Sequence, residues 1–130
     1  MSVASATMLV MDVGQGRDLG ARGEAAALAV YVERGYGLVA RNWRCAIGEL
    51  DLVLSRGSEL VLCEVKSRRG DSLGGPYEAV DWRKQRKLRA LAEAFLATSG
   101  LEPSSVRFDV ASVLLDPADG LSVHLFEHAF

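Results

Sequence analysis

The stretch GELDLVLSRGSELVLCEVKSR, residues 48–68, decides how this chain folds. Two apolar runs flank the tetrapeptide Ser-Arg-Gly-Ser, and charged side chains interrupt each run at every second position. Alternation with a period of two is typical of strands, and a glycine between two such runs is typical of a hairpin turn. We therefore predict strands over 47–54 and 59–66, joined by a turn around Arg56 and Gly57.

A two-residue turn also predicts the register of this hairpin. It pairs Ser55 with Ser58 and brings Asp51 opposite Leu62. Side chains alternate across a strand, so this register gives the hairpin one charged face and one apolar face. The charged face carries Glu49, Asp51, Glu64 and Lys66. The apolar face, which we expect to be buried, carries Leu50, Leu52, Leu54, Val61, Cys63 and Val65.

Three carboxylates on one face of a hairpin need positive charge nearby. In this register Glu49 faces Glu64 directly, and like charges in that position repel each other. Lys66 supplies one positive charge, and a divalent cation would supply the rest. Ligands that are all oxygen atoms favour Mg²⁺ or Mn²⁺. The alternative is a solvated polar face held by ordinary cross-strand salt bridges.

Length and composition indicate one globular domain. The chain has 130 residues, of which 49% are apolar and 25% charged, and no apolar run approaches the length of a membrane span. The two cysteines, Cys45 and Cys63, are too few and too far apart for a zinc site. With no export signal at the N-terminus, we expect two buried, reduced thiols in a cytoplasmic protein.

The other patterns predict the order α-β-β-β-α-β-β, an α/β fold with one mixed sheet and helices packed on it. Asp18 is the expected cap of a helix that runs to about residue 33 and ends at Gly35. Asp81 is the expected cap of a second helix, which ends at Gly100. Further strands are predicted over 36–44, 106–115 and 121–126, with a loop over 67–76.

The domain is expected to span residues 18–130. Residues 1–17 read as a flexible N-terminal tail, with a start codon at Met8 or Met11 as the alternative.

Positive charge is concentrated in one segment although the net charge is −2. Residues 66–89 contain eight basic and three acidic side chains, and a polyanion responds to such a local patch rather than to the total charge. We expect nucleic-acid phosphates to be bound by Arg68, Arg69, Arg83, Lys84, Arg86 and Lys87. The alternative is a solvated charged face.

Four further side chains near these segments have two interpretations each. Trp82 and Tyr77 are expected to pack at the entrance of the second helix, and the alternative is stacking on unpaired bases. Arg107 and Asp109 lie on the same face of one strand, where they form a structural ion pair or support the proposed site.

Seven short motifs together resemble a known family. They are RGEAAA (22–27), RNWR (41–44), GELDLV (48–53), CEVKSR (63–68), RKQRKL (83–88), RFDV (107–110) and HAF (128–130). In this order they resemble the YraN-type family of uncharacterised bacterial proteins. That family belongs to the PD-(D/E)XK restriction-endonuclease-like superfamily and is similar to Holliday junction resolvases.

The resemblance implies a restriction-endonuclease-like mixed sheet flanked by helices and a Mg²⁺-dependent endonuclease that hydrolyses phosphodiester bonds in DNA, including branched DNA. Asp51 and Glu64 would bind the metal together with the carbonyl of Val65, and Lys66 would position or activate the attacking water. Glu24 would complete the acidic cluster.

Some of these assignments stay open. Glu24 is alternatively an exposed acid near a helix N-terminus. Glu49 is either a further ligand or a partner of Arg44. Resolvases act as dimers, so a homodimer is expected by analogy alone. The alternative function is a non-catalytic module that keeps the nuclease fold and binds nucleic acid or a protein partner.

Overall fold

The described residues form one sheet of six strands and two helices that pack on it. The computed structural model describes residues 4–10, 19–70, 81–118 and 120–130. The elements are β1 (Ala4–Val10), α1 (Leu19–Glu33), β2 (Gly37–Cys45), β3 (Gly48–Arg56), β4 (Glu59–Arg69), α2 (Trp82–Ser99), β5 (Ser105–Asp116) and β6 (Gly120–Glu127). The predicted α/β class and the order α-β-β-β-α-β-β are confirmed for the elements after β1.

The sheet has the strand order β1-β6-β5-β4-β3-β2. All neighbouring strands are antiparallel except β4 and β5, which are parallel. Two parallel neighbours need a long connection between them, and α2 lies in that connection. The sheet is therefore mixed, as predicted, and β4 is an internal strand.

Strand β1 corrects the expectation of a flexible tail. Residues 4–10 pair antiparallel with β6, from Ala4 opposite Glu127 to Val10 opposite Leu121. This segment is the edge strand of the sheet. Residues 1–3 and 11–18, with the expected helix cap Asp18, lie outside the described residues.

The predicted hairpin exists, but its predicted register is wrong by two residues. Ser55 pairs with Leu60 and Arg56 with Glu59, so the turn consists of Gly57 and Ser58. Gly57 has a φ of 60°, which a tight hairpin turn requires and which glycine adopts without strain. Because the period of a strand is two, a shift of two residues does not exchange the faces, and Leu52, Leu54, Val61 and Cys63 share one face as predicted.

Both faces of the sheet are covered by a helix. On one face α1 packs on a cluster that includes Leu52, Leu54, Val61 and Cys63. On the other face α2 packs on a cluster that includes Leu50, Val53, Leu60 and Leu62. The prediction of a single buried face is therefore wrong, and Leu50 packs on the α2 face rather than with Leu52 and Leu54. Strand segments covered on both sides are apolar throughout, as residues 52–54 of β3 and 60–63 of β4 are.

The regular alternation of β3 breaks at Asp51. Leu50 and Val53 pack in the same cluster although they are three residues apart, while Leu52 packs on the opposite face. The ladder of paired residues between β3 and β4 also ends at Leu52 and Cys63. Asp51 consequently lies where β3 leaves regular pairing, and its carboxylate can reach the backbone of β4.

Where the predicted capping residues are described, the helices begin and end as the sequence predicts. The side chain of Asp81 accepts a hydrogen bond from the backbone N–H of Lys84, 3.0 Å, as an N-cap does. Gly35 and Gly100 follow α1 and α2 with φ of 90° and 74°, as predicted for C-terminal glycines. In the described part of the chain, neither helix is long and apolar enough to cross a membrane.

Two other expectations need correction. Strand β4 continues to Arg69, so the predicted loop begins later than Ser67, and its residues 71–76 lie outside the described part. Both cysteines are free; Cys63 is buried as expected, but Cys45 is only half-buried.

Candidate metal centre

Three carboxylates from two elements converge at one end of the sheet. Glu24 comes from the second turn of α1, and Glu49 and Asp51 come from the first half of β3. One oxygen atom of each carboxylate lies within 4.8 Å of the others. We call Glu24, Glu49 and Asp51 the acidic cluster. The side chain of Glu24 is only 14% exposed, so the alternative of an exposed acid near a helix N-terminus is wrong.

Asp51 lies at the centre of the negative charge. Its Oδ2 accepts a hydrogen bond from the backbone N–H of Val65, 2.8 Å away. Burial raises the pKa of Asp51 to about 7, and the charge of Glu64, followed by those of Glu24 and Glu49, adds to the effect. The hydrogen bond from Val65 opposes this rise but does not cancel it. The carboxylates thus repel one another, and this repulsion disfavours the ionised form of Asp51.

Glu64 and Lys66 lie near Asp51, but Glu64, a predicted metal ligand, is not one of the three carboxylates that lie within 4.8 Å of one another. Both follow Cys63 on β4, two residues apart, and the charges of both Asp51 and Glu64 act on the Lys66 ammonium. Burial lowers the pKa of Lys66, and the adjacent Lys84 ammonium lowers it further. The neutral amine of Lys66 is therefore more accessible than that of an ordinary lysine.

Lys84 has a place that the sequence did not indicate. Its Nζ lies 2.7 Å from Oε1 of Glu64, and both side chains are largely buried. Burial opposes the charge of Lys84, but the hydrogen bond and charge of Glu64 outweigh it and raise the pKa of Lys84. The first turn of α2 thus reaches the acidic end of the sheet through Lys84. Metal binding by Glu64, and by the carbonyl of Val65, stays a prediction.

Two arginines of β2 hold the outer carboxylates. Arg44 lies directly opposite Glu49 in the β2–β3 ladder, and its Nε lies 2.7 Å from Oε2 of Glu49. Arg44 was one of the two interpretations predicted for Glu49, and the contact is a cross-strand salt bridge. Arg41 places Nε 3.4 Å from Oε1 of Glu24 and donates to the carbonyl of Ala21, 2.9 Å away.

Gly23 explains how α1 comes close enough for Glu24 to join the cluster. A Cβ atom on Gly23 would lie 1.8 Å from Oγ and 3.0 Å from Cβ of Ser67 in β4. Real Cβ atoms essentially never come as close as 1.8 Å, so a larger residue would require the Ser67 side chain to rotate or α1 to move away from β4. The glycine of the RGEAAA motif therefore sets the separation of α1 and β4.

The basic residues of α2 divide between two sides of the helix. Lys84 points to Glu64, whereas Arg83, Arg86 and Lys87 are exposed. At the end of β4, Arg68 is half-buried and Arg69 is exposed. The interpretation of Trp82 as a packing aromatic is wrong, because its side chain is 59% exposed. Tyr77 lies outside the described residues. Phosphate binding by these basic residues stays a prediction.

Arg107 and Asp109 form the predicted ion pair inside the core. Arg107 donates through Nε and Nη2 to the two carboxylate oxygens of Asp109, both at 2.9 Å. The hydroxyl of Tyr31 donates to Oδ2 of Asp109, 2.6 Å away, and the backbone N–H of His128 donates to Oδ1. This network connects α1, β5 and the C-terminal residues, which fits the structural interpretation of the pair.

The contacts of Arg41 with Glu24 and of Lys84 with Glu64 were not predicted from the sequence. Arg41 belongs to the RNWR motif, but nothing in its local pattern indicates an acid seventeen residues earlier as its partner. In the sequence, Lys84 is one of several basic residues that are expected to bind phosphates. Both contacts join residues from different elements, so only the packed fold brings them together.

Comparisons with known proteins agree with the resemblance seen in the motifs. The profile of a family described as "Uncharacterised protein family UPF0102" matches residues 23–113. A UPF0102 protein of Moorella thermoacetica is 43% identical over 115 residues, covering 88% of this chain and 96% of the relative. One from Symbiobacterium thermophilum is 45% identical over 114 residues, covering 88% and 97%. One from Nocardia farcinica is 44% identical, covering 88% and 90%.

Proposed function

The chain belongs to the uncharacterised protein family UPF0102, the YraN-type family, and we propose that it is a Mg²⁺- or Mn²⁺-dependent nuclease that hydrolyses phosphodiester bonds in DNA. The observation that carries the proposal is the convergence of Glu24, Glu49 and Asp51 within 4.8 Å, with Lys66 beside them. Acidic residues are common on protein surfaces, but here they are half-buried and crowded, which a bound cation would relieve.

The donor set fits a hard divalent ion. All three side chains offer oxygen, the ligand that Mg²⁺ and Mn²⁺ prefer. Oxygen ligands around an octahedral Mg²⁺ lie about 3 to 4 Å from one another, so carboxylates spread over 4.8 Å need only small rotations to share one ion. Asp51, whose pKa of about 7 reflects burial and crowding, gains most from that charge.

Each residue then has a role in hydrolysis. When bound, the ion supplies positive charge to the phosphate and makes a water molecule more acidic. The lowered pKa of Lys66 lets its neutral amine accept a proton from the attacking water, and the ammonium that results stabilises the charge that develops on the phosphate. Arg44 and Arg41 orient Glu49 and Glu24 towards the shared position.

The test is cleavage by the purified protein with Mg²⁺ or Mn²⁺ on single-stranded, duplex, flap and four-way DNA. We expect Asp51→Ala and Lys66→Ala each to lower the rate at least about 100-fold, because each removes charge stabilisation at the reacting phosphate. Glu102→Ala, at an exposed position, is the matched control and should cleave normally. Cleavage that survives both site substitutions would disprove the assignment.

The non-catalytic alternative gives a different pattern. It predicts that the wild-type protein binds DNA without cutting any member of the panel in either metal. In that case Asp51→Ala and Lys66→Ala would leave the metal-free affinity for DNA unchanged.

A further inference from the structure

Trp82, the first residue of α2, forms the wall of an open groove. Its indole is 59% exposed, an unusual state for the largest apolar side chain. The groove has a volume of about 490 Å³ and is lined by Trp82, Arg83, Arg86, Lys87 and Ala90. We call it the Trp82 groove.

The groove carries positive charge next to the indole. The guanidinium carbons of Arg83 and Arg86 each lie 5.4 Å from the centroid of the Trp82 ring, within the range of cation–π attraction. Among the ion pairs of the described residues, none involves Arg83, Arg86 or Lys87. A flat aromatic surface beside cations that form no ion pair with a described residue complements a flat base attached to phosphates.

The groove adjoins the acidic cluster. Lys87 lines the groove, and its Cε would lie 2.9 Å from a Cβ atom on Gly48, the residue before Glu49. One turn earlier on α2, Lys84 contacts Glu64. A DNA strand whose phosphate lies at the cluster can therefore place a neighbouring nucleotide in the groove.

We propose that the Trp82 groove stacks an unpaired base of the substrate, so that the preferred DNA has unpaired nucleotides beside the cleaved bond, as flaps and single strands do. The inference rests on the proposed nuclease function. In the interior of a duplex both faces of each base are covered by neighbouring bases, so away from the duplex ends the indole has nothing to stack on. Arg83, Arg86 and Lys87 bind the adjoining phosphates of either form of DNA.

The first measurement is metal-free binding of fluorescent single-stranded, flap and blunt duplex DNA, followed by anisotropy in EDTA. We expect Trp82→Ala to weaken binding of single-stranded and flap DNA about 5- to 100-fold, the usual effect of losing one stacking aromatic. Its effect on blunt duplex should be less than about twofold. Trp82→Phe should retain most of the affinity, and Leu101→Ala, at an exposed apolar position, is the matched control.

The second measurement uses tryptophan fluorescence. The chain has two tryptophans, and Trp43 packs edge-on against Phe95 with ring centroids 5.3 Å apart. In a Trp43→Phe variant, Trp82 is the sole tryptophan, and we expect oligothymidylate to quench its emission while blunt duplex does not.

The outcomes separate this inference from the proposed nuclease function. Equal affinity of Trp82→Ala and wild type for flap and single-stranded DNA overturns the stacking role, even if the wild type cleaves DNA. An equal loss on duplex, or no DNA binding at all, overturns it too. Binding that depends on Trp82 in a protein that never cleaves would support the groove and refute the nuclease.

Discussion

Asp51 shows how the cluster sets a cost on folding that depends on pH. Burial and neighbouring carboxylates raise its pKa from an ordinary 3.8 to about 7 in the folded protein. The folded state therefore holds the Asp51 proton more tightly than the unfolded state. The stability that this proton contributes is complete below pH 3.8 and is lost as the pH rises through 7.

We predict that Asp51→Asn stabilises the metal-free protein at pH 8.5 relative to wild type, by about 1 to 2 kcal/mol after allowance for partial exposure. The neutral amide keeps an oxygen for the Val65 N–H and removes the buried charge. The gain should shrink towards zero near pH 4. Urea denaturation in EDTA at several pH values measures it, with the exposed Glu33→Gln as control. A gain that does not change with pH would contradict the assigned shift.

At the scale of elements, the contact between α1 and β4 brings Glu24 to the cluster. Gly23 permits that contact, because a Cβ atom there would meet Ser67. A helix displaced by even a fraction of an ångström carries Glu24 away from Glu49 and Asp51. The glycine therefore serves the site as well as the packing.

We predict that Gly23→Ala lowers the free energy of unfolding by about 1 to 3 kcal/mol, although alanine is the better helix former. The same variant should bind Mn²⁺ more weakly, because Glu24 is displaced. Denaturation and calorimetric titration measure the two effects. Ala25→Ser, on the exposed side of the same turn, should leave metal affinity unchanged. If Gly23→Ala had wild-type stability and wild-type Mn²⁺ affinity, α1 and β4 would accommodate a Cβ atom at this position without moving apart.

In the molecule as a whole, β1 is the strand at one edge of the sheet and β2 is the strand at the other edge. It pairs with β6 only, while the acidic cluster is built from α1 and β3. The edge strand therefore supports the fold without contributing to the cluster.

We predict that deletion of residues 1–10 lowers the free energy of unfolding by more than about 1 kcal/mol, because seven paired positions on β6 lose their partners. Mn²⁺ affinity of the folded protein should stay within about twofold of that of the full chain. Denaturation and calorimetric titration compare the two proteins. Unchanged stability would mean that β1 adds nothing to the fold, and lost metal affinity would mean that the cluster depends on it.

Local sequence signals predicted most of the elements because each signal acts within a few residues. Asp81 and Gly100 mark the ends of α2, and the alternating charges mark β3 and β4. The register was wrong by two residues because Ser-Arg-Gly-Ser allows Gly57 at either position of a two-residue turn. Strand β1 was missed because its partner β6 lies more than a hundred residues away.

The site was predictable where its residues share a hairpin and unpredictable where they do not. The predicted hairpin brings Asp51, Glu64 and Lys66 near one another, although the alternation of β3 breaks at Asp51, and Glu24 was predicted only from the family resemblance. Arg41, Lys84 and the exposed Trp82 depend on how α1, β2 and α2 pack around the sheet. Such contacts are decided by tertiary packing, on which local patterns carry no information.

We propose that Glu24, Glu49 and Asp51 together bind one divalent cation. A crystal grown with Mn²⁺ tests this directly, because anomalous scattering at a suitable wavelength shows where manganese is bound. We predict one strong peak within about 2.5 Å of oxygen atoms from all three carboxylates, and no such peak in Asp51→Asn crystals. A wild-type crystal with no manganese between these carboxylates, or with manganese bound only elsewhere, would show that the three carboxylates do not form a cation site.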